Sequence, residues 1–372
     1  MMEKGSFSAA YHEEAVSLLE RVCTIPAPSH DEGRRAGFIM SWLEEKGVEG
    51  AYVDEAKNVV IPYCDDGVCG LDVFAAHTDV VFPDTDPLPM RIEGDTLHCP
   101  GSGDDTANFV ALLLYAAHII TNRAPVKRGI LFVCNSCEEG LGNLYGTRTL
   151  FERYGGRIAT FTSFDSVLGR GIVNTAVGSE RYVIRVATEG GHSFADFGAR
   201  NAIAVLSSVI VKLYGQSTDS KMTTYNVGTI SGGTSVNSIA QSAECLYEFR
   251  AVDERSLGRM RSGFEGIISS FRAKNIDITY ECIGQRPCGA DVDTSGLEAV
   301  AQKVISSYGY PVMRGVSSTD CNIPLSMGIP AICFGLIKAT GTHTRQEKVD
   351  LASYRDGLDI GYDYICSLCL EA

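Results

Sequence analysis

The sequence predicts an α/β protein: a mostly parallel sheet domain carrying an inserted, smaller α+β domain. Three observations carry this. Apolar runs bounded by polar residues, at 72–76 and 129–134, have the character of strands buried on both faces. Segments with helical apolar spacing alternate with them, the pattern of a parallel sheet covered by helices. Near Gly178 this pattern changes to polar–apolar alternation, and it returns after Gly289.

Residues 13–23 and 31–48 have helical spacing, through Val16, Leu18, Leu19 and Val22 and then Phe38, Ile39, Trp42 and Leu43. Short β-type runs follow at 58–63 and 72–76, then a helix over 105–120 and strands at 129–134, 160–164 and 171–177. Residues 181–188 alternate, with Tyr182, Ile184 and Val186 on one face. A helix over 201–214, strands at 223–230 and 243–252, a helix over 254–273 and a strand at 277–282 complete the inserted part. A helix at 295–308, a strand at 331–334 and a helix at 351–368 return to the first pattern. The expected division is 1–177 and 290–372 for the larger domain and 178–289 for the insertion.

The 372 residues exceed one ordinary domain. Hydrophobic content of 45% and charged content of 21% suit a globular protein with a substantial core. The formal charge of -14 repels phosphate backbones, which argues against nucleic acid as a partner. The N-terminus lacks a charged region followed by an apolar one, and no apolar run is long enough to span a bilayer. The 13 scattered cysteines fit reduced thiols, so a cytoplasmic protein is expected. Two Cys-x-x-Cys pairs, Cys134/Cys137 and Cys366/Cys369, raise the alternatives of a four-thiolate zinc site and of ordinary buried cysteine.

Ligand-type residues cluster where buried strands end, the place where open α/β sheets bind ligands. The 72–76 run leads into His77-Thr78-Asp79, and His77 and Asp79 lie on one side of an extended segment. Pro100-Gly101-Ser102-Gly103-Asp104-Asp105 precedes a helix; its acids suit either helix-start capping or a cation that neutralises them. The 129–134 run leads to Glu138-Glu139, the 160–164 run to Asp165, and the 331–334 run to Gly341-Thr342-His343-Thr344. Each alone has an ordinary reading as a surface or loop residue. Together His77, Asp104, Glu139, Asp165 and His343 make a set able to hold two divalent ions, with one carboxylate bridging.

In their order these motifs resemble the cocatalytic zinc peptidase and aminoacylase family, the group of peptidase T, the bacterial glutamate carboxypeptidases and succinyl-diaminopimelate desuccinylase. The matching stretches are His77-Thr78-Asp79, Gly101-Ser102-Gly103-Asp104-Asp105, Glu138-Glu139 and His343-Thr344-Arg345-Gln346-Glu347. The resemblance implies that Asp104 bridges two metals, that His77 and Asp165 complete one, and that Glu139 and His343 complete the other. It implies that Asp79 orients His77 and that Glu138 is the general base. In the insertion it makes His192, within Gly190-Gly191-His192-Ser193, a residue that reaches the partner subunit's active site. Asn237 and Arg250 become substrate-binding residues, and the insertion becomes a lid through which a homodimer forms. Where the family usually has Lys or Met-Lys after the bridging aspartate, this chain reads Asp105-Thr106-Ala107-Asn108. The third ligand is Asp165 rather than Glu, as in the peptidase branches.

These implications amount to an expected metal-dependent hydrolase of small peptides, aminopeptidase- or tripeptidase-like. It would use two divalent ions, zinc by default with Co2+ or Mn2+ as alternatives. The alternatives are an N-acyl amino acid amidohydrolase and a non-catalytic metal-binding relative.

Overall fold

The computed structural model describes residues 5–68, 70–218, 221–289 and 291–371. It divides into two compact units, Met1–Ala176 with Ala290–Ala372, and Val177–Gly289.

The first unit is built on an eight-stranded sheet. Its order is Tyr52–Val53, Val59–Tyr63, Ile130–Asn135, Leu71–His77, Ile158–Ser163, Ala331–Cys333, Ile172–Ala176 and Arg314–Ser317. The four strands from Ile130–Asn135 to Ala331–Cys333 run parallel, so their carboxyl ends share one edge. Every residue of Leu71–His77 and Ile130–Asn135 is buried, as expected of strands covered on both faces. On one face Ser6–Cys23, Ala107–Thr121 and Leu351–Cys369 contribute to an apolar cluster that includes Leu19, Phe74, Phe109, Leu113, Phe164 and Tyr364. On the other face Tyr145–Tyr154 and Asn322–Ser326 pack Leu150, Phe151 and Ile323 against Val73, Leu131 and Phe161. Four short strands, ordered Lys338–Thr340, Lys348–Asp350, Thr96–His98 and Arg91–Glu93, form a separate small sheet.

The second unit is a four-stranded antiparallel sheet, ordered Thr224–Gly232, Ser242–Ala251, Gly178–Ala187 and Asp277–Arg286. Tyr182, Ile184 and Val186 on one face of that sheet join Leu206 and Val209 of the Ala202–Tyr214 helix and Phe264 of the Glu254–Arg272 helix in a core of their own.

Local differences from the sequence expectations have physical causes. The first helix begins at Ser6 rather than near 13, because Phe7 and Ser8 are held from outside it. Phe7 stacks on Tyr362, and the Ser8 amide and hydroxyl donate to Asp359. The helix expected from 105 begins at Ala107; Asp104 and Asp105 have non-helical backbones in a turn over Ser102–Thr106. The two Cys-x-x-Cys pairs do not meet. Cys134 pairs in register with Ala76 near one end of the Leu71–His77 strand, whereas the Cys369 thiol donates to Asp72 near the other. Four residues of strand separate those places by about 13 Å. All four cysteines are free and buried.

Candidate metal centre

The shared edge of the parallel strands gathers the predicted ligands of the first unit. His77 is the last residue of its strand and is buried. Its Nδ1 lies 3.0 Å from the backbone carbonyl of Asp79. A carbonyl only accepts, so Nδ1 carries a proton, and Nε2 is the nitrogen turned to the site, where it donates to Asp104 until a metal displaces its proton. Nε2 is 3.0 Å from Asp104 Oδ1. The other oxygen of Asp104 is 3.0 Å from His343 Nε2, which also lies 2.9 Å from Glu139 Oε1. One carboxylate thus stands between two imidazoles. The ligand atoms of His77, Asp104 and Glu139 all lie within 4.8 Å of one another, as do those of His77, Asp105 and Asp165.

The loops are held by buried carboxylates. Glu347 accepts the amides of Gly101 at 2.9 Å, Gly103 at 2.8 Å and Asp104 at 3.0 Å, and so fixes the turn that presents Asp104. A Cβ at Gly103 would stand 2.4 Å from the Cβ of Ala339, so the close packing of this turn needs glycine. The peptide joining Asp104 to Asp105 is cis. Asp105 accepts the His77 amide at 2.9 Å through one oxygen and the Asn108 side chain through the other, an anchoring role rather than helix capping. Asp79 lies with one carboxylate oxygen 3.5 Å from His77 Nδ1. Its carboxylate accepts the amides of Glu138 at 3.0 Å and Glu139 at 2.9 Å, and the Ser29 hydroxyl at 2.6 Å. Glu138 is buried, and its charge acts on Glu139, Asp165 and Asp320.

The electrostatics follow from acids buried in excess of the histidines. Burial drives Asp165 well above the usual carboxylate range, and the Asp104 charge adds to it. Burial pushes Glu139 up to about 6 and Glu347 and Asp320 up to about 7. Burial also acts upward on Asp104, but its bonds to His343 and His77 hold it far below the usual range. His343 is raised to about 10 by Asp104 and then Glu139. Protons therefore balance a negative array. Divalent cations fit the same donors, because imidazole nitrogens and carboxylate oxygens are the ligands of such ions and binding displaces those protons.

Three further candidates lie in the second unit. His192 is exposed on the Gly191–His192 segment, which pairs with Ser238–Ile239. Its Nδ1 accepts the amides of Phe194 and Ala195, both at 3.3 Å, so the ring is an Nε2–H donor toward solvent. Asn237 is exposed; its carbonyl accepts the Ser193 amide at 3.0 Å. Arg250 forks onto Glu248 at 3.1 and 3.2 Å. The sequence motifs give no role to Ser29 or Glu347, and leave Asp105 between helix capping and neutralisation by a cation. Asp105 and Glu347 stand inside the quoted motifs, but Ser29 carries no local signal, and contacts 50 residues apart in the chain reveal it.

The chain is similar to several known proteins. It is 23% identical over 367 residues to the succinyl-diaminopimelate desuccinylase of Corynebacterium glutamicum, covering 95% of this chain and 96% of that one. Its fold matches a Staphylococcus aureus tripeptidase with a TM-score of 0.77 at 18% identity, over 95% of this chain and 97% of the other. It also matches the Bacillus subtilis YXEP protein, a dinuclear metal binding peptidase, with a TM-score of 0.66 at 16% identity, over 96% and 98%. Residues 73–367 match the family model for peptidase family M20/M25/M40, a span that includes every ligand residue named above. The chain belongs to peptidase family M20/M25/M40, as a hydrolase with a dinuclear metal site.

Proposed function

We propose that this hydrolase cleaves peptide bonds in small peptides, in the manner of an aminopeptidase or tripeptidase. The observation that carries the reading is the Asp104 carboxylate, one oxygen on His77 and the other on His343, with Glu139 sharing the second imidazole. Asp104 would serve both of two metal positions, with His77 and Asp165 holding one ion and Glu139 and His343 the other. Bound divalent ions supply Lewis acidity to a scissile carbonyl and bring a water's pKa toward about 7. We assign them as zinc, with Co2+ or Mn2+ as substitutes.

Glu138 accepts the attacking water's proton and passes it to the leaving amine. Asp79 keeps Glu138 and Glu139 in place by accepting both their amides, and its carbonyl fixes the His77 tautomer. The Nε2–H of His192, from a partner copy, donates to the oxyanion as charge develops. Asn237 and Arg250 orient the substrate, with Arg250 exchanging its fork on Glu248 for a substrate carboxylate. Residues 178–289 act as the lid and pair the homodimer, and the enzyme works in the cytoplasm.

A second reading, removal of an acyl group from an N-acyl amino acid, is favoured by the full-length likeness to a desuccinylase. Purified protein incubated with tripeptides and N-acyl amino acids, with and without chelator, separates the two. Chelator-sensitive cleavage of tripeptides is expected; cleavage of acyl amino acids alone moves the assignment to the second reading, and cleavage of neither class removes both.

A further inference from the structure

We propose that Glu32 and Arg35, at the start of the Gly33–Glu45 helix, are positioning residues that lock three ligand-bearing loops of the metal centre to one helical turn. The proposal rests on reading Glu138 as base and Glu139 as ligand.

Both side chains are fully buried charges. Burying a charge is costly unless it is paired or hydrogen-bonded. These two, three residues apart within one turn, direct their charge at loops of the site. Glu32 stands at the N-cap of its helix, where a carboxylate ordinarily accepts the next free amides. It makes no such cap. Its Oε1 accepts the His30 amide at 2.9 Å, the Cys137 amide at 3.1 Å and the Cys137 thiol at 3.2 Å. Cys137 has a left-handed backbone, φ 57°, strained for a residue with a side chain. The next two amides, of Glu138 and Glu139, end on Asp79. Three successive amides thus terminate on two buried carboxylates, and the Glu32 bond sets the residue from which the Glu138–Glu139 pair departs.

Arg35 holds the other two loops. Its Nη1 donates to the carbonyl of Thr78 at 2.7 Å and to the Thr106 hydroxyl at 3.1 Å. Thr78 lies between His77 and Asp79, and Thr106 follows Asp105. The Thr106 hydroxyl in turn donates to the carbonyl of Gly101 at 2.6 Å, at the opening of the turn that presents Asp104. Nε of Arg35 ties the helix to Ile25 at 2.9 Å. Arg35 Nη2 has no hydrogen-bond partner, and Glu32 Oε2 has none beyond a 3.8 Å ion pair with Lys57 Nζ, so these charges are not optimised for stability alone. Neither residue is a metal ligand or touches substrate in the proposed mechanism. Their effect runs through the spacing of His77, Asp104, Glu138 and Glu139.

The test uses full-length Glu32→Gln and Arg35→Lys, with metal content, metal affinity by chelator competition, kcat, KM and circular dichroism measured for each. Outer-layer partners of metal ligands are worth about 10–100-fold. The expected result is a folded protein whose metal affinity and kcat both fall by about that factor while KM stays within about two-fold. Folded variants with unchanged metal affinity and kcat overturn the proposal. If Glu32→Gln fails to fold, Glu32→Asp carries the same test, because it keeps the charge and shortens only the reach; a loss in kcat and metal affinity supports the role, and their retention removes it. A wild-type chain that takes up fewer than two metals overturns the reading of the site itself, whereas normal loading with unaffected variants removes only the positioning role.

Discussion

Replacing Glu347 by Gln should loosen the turn that presents Asp104. The carboxylate accepts three amides, with Gly103 and Asp104 on Oε1 and Gly101 on Oε2. In the glutamine variant the side-chain oxygen keeps the first two as neutral bonds. The new NH2 then faces the Gly101 amide, donor against donor. Exchanging a charge-assisted for a neutral bond costs about 1 kcal/mol each, and a buried amide without an acceptor about 1–3 kcal/mol, so the loss is roughly 3–5 kcal/mol. Burial holds the Glu347 carboxyl up to about 7, so in metal-free protein part of this loss is already present below that pH. The full effect belongs to metal-loaded protein above neutrality. For a unit of this size a loss of about 3 kcal/mol lowers Tm by roughly 6–12 °C. Thermal melts of the zinc-loaded protein at pH 8, with metal affinity by chelator competition, measure both consequences. Metal affinity should fall about 10–100-fold. A variant that melts within a degree of wild type and holds its metals equally well would refute the idea that Glu347 anchors the bridging aspartate.

Glu138→Gln should keep both metals and lose turnover by about 10²–10⁴-fold; a variant that stays active shows that Glu138 is not the base. His192→Ala should lower kcat by about 10²–10³-fold with the fold intact, as expected for loss of an oxyanion donor, and a change of less than two-fold would sink that role. Chelated protein should become less stable between about pH 4.5 and 7. Glu139, Glu347 and Asp320 hold protons up to about 6, 7 and 7, so across that window the folded chain binds more protons than the unfolded one. Metals displace those protons, so the Tm gain on adding zinc should be larger at pH 7.5 than at pH 5. Melts of chelated protein that rise over the window contradict this sign.

Much of the site was legible because catalytic donors at strand ends leave local traces. His77, Glu138, Glu139 and Asp165 each follow a run of buried apolar residues, and the fold places those runs side by side in parallel. His343 left a weaker trace after the 331–334 run, since it stands ten residues beyond its strand, and its motif made it legible. The small sheet joining Thr96–His98 to Lys348–Asp350 left little trace, because three-residue strands are too short for a period to show. The helix at Tyr145–Tyr154 was equally hidden: ten residues holding three charges and three aromatics have weak apolar spacing.

What the sequence determined by itself was chemistry and order: which residue types stand at strand ends, and in which succession along the chain. Residue type, periodicity and spacing are local properties, and a single chain displays them. What only the tertiary structure decided was which groups share atoms. The two oxygens of Asp104 face histidines 27 positions before it and 239 after it, Glu347 reaches back to Gly101, and the Asp79 carboxylate serves the Glu138 and Glu139 amides as well as standing near His77. Glu32 and Arg35 read in sequence as two ordinary charges in a polar helix start. They become buried anchors only when the loops they hold, 43 to 105 residues away, are brought against them. Hydrogen bonds act over about 3 Å, and the chain's order says little about which distant groups will meet at that distance.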